Sequence, residues 1–89
     1  MADSLELTYY YGNDCGVCAA LRPKIRALAD RYQVVLVEKF IEDYVAEAAQ
    51  RLIFSVPAVY LARGEQKIYH QMNLVDLWKL EQVLAKERM

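Results

Sequence analysis

The chain has 89 residues, of which 56 % are hydrophobic and 26 % charged, enough apolar material to build one core and too much for a disordered segment. Eleven basic and twelve acidic side chains leave a net charge of −1, which excludes the basic footprint of a nucleic-acid-binding protein. No apolar run approaches the roughly 18 residues of a membrane span, so one domain over residues 1–89, without membrane or nucleic-acid partners, is expected.

Leu5 to Tyr11 alternates Leu5, Leu7, Tyr9 and Tyr11 with Glu6, Thr8 and Tyr10, the two-residue period of a strand. The turn signal Gly12-Asn13-Asp14 follows. From there Cys18, Leu21, Ile25, Leu28, Ala29 and Tyr32 recur at three- and four-residue steps, which predicts an amphipathic helix beginning at or just after Asp14. Its Arg and Lys residues are expected to form a solvated face. Val34-Val35-Leu36-Val37 is a short β-branched run and predicts a parallel strand covered on both faces, completing a βαβ unit.

Val45, Ala48, Ala49, Leu52 and Ile53 predict a second short helix. Ala58–Ala62 and Gln66–Gln71 predict two antiparallel strands joined by a hairpin at Arg63-Gly64-Glu65. Asn73 is the expected N-cap of a last helix whose Leu74, Leu77, Trp78, Leu80, Val83 and Leu84 face inward. The order is β-α-β-α-β-β-α. His70 is expected on an exposed strand face and Trp78 in the core.

Both cysteines fall in Cys15-Gly16-Val17-Cys18 at the mouth of the first helix. Three readings are open: a structural crosslink, a metal site or a redox pair. A bridge over so short a segment removes little entropy from the unfolded chain. A zinc site needs four ligands, and His70 is the only other histidine or cysteine, so a metal site would need four thiolates shared in a dimer; none is expected.

The redox reading uses the local geometry. One helical turn separates the residues by roughly 60° in azimuth, so the sulfurs meet. Cys18 continues the apolar stripe while Cys15 stays at the mouth. A thiol of pKa near ~8.5 is only ~3 % ionised at pH 7. The helix N-terminus favours the thiolate by roughly 0.3 to 1 kcal/mol, and the neighbouring Asp14 charge opposes it by around 1 kcal/mol at ~4 Å. The N-terminal residues lack the basic and apolar regions of a secretory signal, so a cytosolic location is expected, where disulfides are mostly transient and catalytic.

These residues resemble the thioredoxin family. The resemblance rests on the CGVC motif at a strand-to-helix turn, on Pro23 five residues past Cys18, and on Val56-Pro57 before the third strand. It spans Leu5 to about Lys86. The resemblance implies a thioredoxin fold, α/β, with a four-stranded mixed sheet flanked by three helices and a cis bond at Pro57. It implies a thiol-disulfide oxidoreductase of electron transport and cell redox homeostasis, in which Cys15 attacks and Cys18 resolves. The pair serves as a redox-active disulfide with no other cofactor. Disulfide-containing protein substrates and an external reductase or thiol donor are the implied partners of a monomeric, cytoplasmic protein.

Gly16, Val17, Val56, Pro57, Met72 and Asn73 are the expected substrate-binding residues, with Met72 and Asn73 in a loop beside the cysteines. Asp14, Glu38 and Tyr11 are the expected tuning residues. Asp14 and Val17 stand where the family usually has Trp and Pro, and Tyr9 stands where it keeps a buried aspartate. Glu38, expected at a strand end, is the candidate replacement for that acid. Two other classes remain open. One is a glutaredoxin-like glutathione-dependent reductase, although Gln71-Met72-Asn73-Leu74 lacks the family's Gly-Gly and acidic pair. The other is a non-catalytic thioredoxin-fold interaction or metal-binding module.

Overall fold

The computed structural model describes residues 4–89. Its elements are β1 (Leu5–Tyr11), α1 (Gly16–Arg31), β2 (Val35–Phe40), a 3-10 turn (Ile41–Tyr44), α2 (Val45–Gln50), β3 (Ala58–Arg63), β4 (Gln66–Met72) and α3 (Leu77–Glu87). The four strands form one mixed sheet in the order β2-β1-β3-β4. β1 and β2 are parallel, and β1–β3 and β3–β4 are antiparallel. This is the α/β thioredoxin fold.

Strand alternation divides the core. Leu5, Leu7 and Tyr9 of β1 pack with Ile25 of α1, Val59 and Leu61 of β3, and Leu80 and Leu84 of α3. Tyr10, on the opposite face, packs with Ala48, Ile53, Ala58 and Tyr60. The three consecutive tyrosines therefore serve different layers, with Tyr9 and Tyr10 both fully buried.

Several expectations are corrected. β2 begins one residue later and runs three residues further than the Val34–Val37 run, which places Glu38 inside the strand. It is one of the two edge strands and is not covered on both faces throughout: Val35 is 57 % exposed. The second helix stops at Gln50 because Leu52 takes a positive φ of 62°; Leu52 and Val45 are exposed, leaving Ala48 and Ile53 to fill the core.

Asn73 does not cap the last helix. It turns the chain out of β4 at φ 72°, and Asp76 is the cap, its side chain accepting the Lys79 N–H at 3.1 Å. With the helix starting at Leu77, Leu74 lies outside it at 91 % exposure and Trp78 turns outward at 70 %. Leu80 and Leu84, one turn apart, carry the inward stripe.

The basic residues of α1 are not simply a solvated face. Arg26 grips Glu38 through two hydrogen bonds of 2.7 and 3.0 Å, and Arg31 bonds Glu81 of α3 at 2.6 Å. His70 is half-buried rather than on an open face. Its ring lies nearly parallel to Tyr60, centroids 6.4 Å apart, and its Nδ1 is buried without a partner.

Candidate functional site

Tyr10, Ala58 and Met72 lie in register across the sheet. The residues next to them in sequence therefore meet at one end: Gly12 and the cysteine turn from β1, Pro57 from β3, and Asn73 from β4. Two contacts join these segments. The Asn73 N–H donates to the Pro57 carbonyl at 2.9 Å, and a β-carbon added to Gly12 would stand 2.8 Å from a Val56 methyl. The Val56–Pro57 peptide is cis.

Cys15 and Cys18 are joined in a disulfide, with Cα atoms 5.1 Å apart. Cys15 is itself the N-cap of α1, in extended conformation, and its Sγ accepts the Cys18 N–H at 3.1 Å. A capping acceptor satisfies one of the unpaired N–H groups of a helix start. Asp14, the preceding residue, takes φ 51° in the turn and is exposed beside Cys15.

Burial differs sharply along the motif. Cys18 is 2 % exposed, Cys15 is half-buried, and Val17 between them is 63 % exposed. A family model, Thioredoxin, matches residues 1–86. The chain belongs to the thioredoxin family.

Solved thioredoxins share its fold. Thioredoxin 1 from Thermosipho africanus superposes with a TM-score of 0.83 at 22 % identity, covering 92 % of each chain. A single-substitution thioredoxin variant from Halobacterium salinarum gives 0.86 at 20 % identity, over 98 % of this chain and 77 % of the other. Oxidised thioredoxin O2 from Arabidopsis thaliana gives 0.82 at 20 % identity, with the same coverage. At such identities the likeness shows the fold alone. No curated protein matches this sequence.

Under the motif of this thioredoxin-family chain lies a cluster made by β1, β2 and α1. Tyr9 and Glu38 are register partners on adjacent strands. The Tyr9 hydroxyl donates to the Cys18 carbonyl at 2.7 Å. Burial pushes its phenol up, with Arg22 opposing and Glu38 adding. Arg22 lies 4.4 Å over the Tyr11 ring, and its Nε is 3.1 Å from Glu38, near enough for an ion pair but misaligned for a hydrogen bond. Glu38 is thus held by Arg26 and ion-paired with Arg22, inside β2 rather than at its end.

The remaining site residues are placed as follows. Gly16 is exposed in the first turn, and Pro57 is buried. Tyr11 is half-buried against Arg22 and Phe40. Met72 is the last residue of β4, not a loop residue; its sulfur accepts the Phe54 N–H at 3.5 Å, so part of it faces the second cluster. Asn73 is exposed beyond it.

Sequence reasoning missed Arg22, which is one turn beyond Cys18 on the same helix. The spacing of Cys18, Arg22 and Arg26 at i, i+4 and i+8 was the available signal. Among the described residues, no group of three or more His, Cys, Asp or Glu is placed to hold a metal ion.

Proposed function

We propose that this protein is a thiol-disulfide oxidoreductase that reduces protein disulfides through a Cys15/Cys18 dithiol-disulfide cycle. The observation that carries the reading is the unequal pair: a half-exposed cysteine at a helix N-cap, bonded to a buried one. In the reduced state the Cys15 thiolate attacks one sulfur of the partner's disulfide. A mixed disulfide forms, and the partner's other sulfur leaves with the electron pair and takes up a proton. Cys18 then loses its proton and displaces the partner from Cys15, closing the Cys15–Cys18 disulfide and releasing the second thiol.

The family supports protein disulfides as substrates and an external reductase or thiol as donor. In this reading the exposed Gly16 and Val17, the Val56-Pro57 turn, and Met72 and Asn73 present the binding surface, with an extended substrate segment pairing to the Val56 backbone. Such a cycle belongs to a reducing compartment such as the cytosol.

Insulin reduction with dithiothreitol as donor tests the proposal. Wild type accelerates it and Cys15→Ser does not. Acceleration that requires glutathione specifically, or none at all, contradicts it.

A further inference from the structure

Tyr9 is fully buried, and the atom it holds is the backbone oxygen of the resolving cysteine. The Cys18 N–H is held as well, by the Cys15 sulfur. These two restraints differ in one respect. During the proposed cycle the Cys15 sulfur becomes bonded to a partner and must move with it, whereas Tyr9 stays fixed in the sheet core, packed with Ile25, Val59 and Leu80.

The helix around Cys18 needs such a restraint. Pro23 lies inside α1, and a proline both lacks the N–H that would bond the carbonyl four residues back and crowds that carbonyl. The carbonyl concerned is that of Ala19, next to Cys18. The Tyr9 hydroxyl therefore braces α1 immediately before its weakest turn.

Resting on the oxidoreductase reading, we propose that Tyr9 is a positioning residue for the resolving step: its hydroxyl holds the Cys18 backbone so that Cys18 Sγ stays aimed at Cys15 Sγ while a partner is attached. Tyr9 does not take the Cys18 proton. A buried phenol is a donor through the range where thiols titrate, and its one hydrogen is committed to the Cys18 carbonyl. In the step itself the Cys18 proton passes to solvent, the Cys18 sulfur bonds Cys15 Sγ, the bond from Cys15 to the partner breaks, and the partner's sulfur leaves with the electron pair.

Mixing the reduced protein with one equivalent of 5,5′-dithiobis(2-nitrobenzoate) separates the two steps. The attack of Cys15 releases one thionitrobenzoate, and resolution by Cys18 releases the second. In Tyr9→Phe, which keeps the ring in the core, the second release slows roughly tenfold while the first stays within about twofold, the cost of a small misplacement of reacting atoms. Tyr10→Phe, which removes a buried hydroxyl from the other face of β1, leaves the second release unchanged.

The inference is overturned if the second release in Tyr9→Phe matches wild type, if both releases slow together, or if Tyr10→Phe slows the second as much. A wild-type protein that never gives the second release loses the oxidoreductase reading itself, a separate result.

Discussion

Gly12 and Val56 are in contact across two loops: a β-carbon on Gly12 would lie 2.8 Å from the Val56 γ-methyl. Gly12 leads into the cysteine turn, and Val56 precedes Pro57, so the contact sets the spacing between the disulfide and the turn proposed to bind substrate. A β-branched side chain has little rotamer freedom to retreat. Gly12→Ala is therefore expected to cost about 1–3 kcal/mol of stability, the range for forcing a methyl into a packed site, and to lower insulin reduction. Chemical denaturation and the insulin assay on the same variant measure both.

Arg51 spans the sheet face opposite α1. Its Nη1 donates to the Thr8 and Tyr10 hydroxyls at 3.2 and 2.9 Å, and the guanidinium lies 4.3 Å over the Tyr60 ring. Arg51→Ala removes these contacts and uncovers Thr8, so a loss of about 1–3 kcal/mol is expected. Since the cysteines belong to the other layer, the rate at which thionitrobenzoate is released should stay near wild type at temperatures where the variant is folded.

Two groups make stability depend on pH in the same direction. Burial first, then Lys67, holds His70 below its ordinary 6.5. Below 6.5 the unfolded chain therefore binds a proton that the folded one resists, and stability falls as the pH drops through that range to the folded value. For Glu47, burial acts to raise the carboxyl, but hydrogen bonds from Lys39 and Tyr10 and the charges of Arg51 and Lys39 outweigh it and hold it below 4.5. Its contribution is complete above 4.5 and is lost as pH falls through the folded value. Melting temperature should fall between about pH 7.5 and 5.5 in wild type and fall less in His70→Gln; the loss below 4.5 should shrink in Glu47→Gln.

Trp78 and Leu80 give opposite expectations two residues apart. Leu80 is fully buried and Trp78 is 70 % exposed. Leu80→Ala should cost about 2–5 kcal/mol, whereas Trp78→Ala should stay within about 0.5 kcal/mol, as for surface positions. Urea unfolding of both variants checks the orientation of α3.

The element order and the cysteine motif were legible in the sequence because they rest on local signals: alternation in Leu5–Tyr11, the stripe from Cys18 to Tyr32, and the turn at Gly64. What was not legible depends on partners distant in sequence. Trp78 looked like core because Leu74, counted as part of the last helix, widens its apolar arc toward Trp78; with the helix starting after Asp76 the arc centres on Leu80 and Leu84 and leaves Trp78 outside it. Asn73 and Asp76 are both cap-forming residues, and only the need for a left-handed residue at the end of β4 separates them. The contacts of Arg22, Arg26 and Arg51 were not legible because their partners Glu38, Tyr11 and Tyr60 belong to other elements. The Tyr9 bond to Cys18 was hidden for the same reason, although the alternation in β1 put Tyr9 on one face with Leu5 and Leu7.

The central claim is that Cys15 attacks and Cys18 resolves, and trapping tests it most directly. Incubated with oxidised insulin or another disulfide protein, Cys18→Ser should accumulate a mixed disulfide through Cys15 that dithiothreitol releases, and Cys15→Ser should accumulate none. Equal trapping by both variants, or trapping through Cys18 alone, would contradict the assignment.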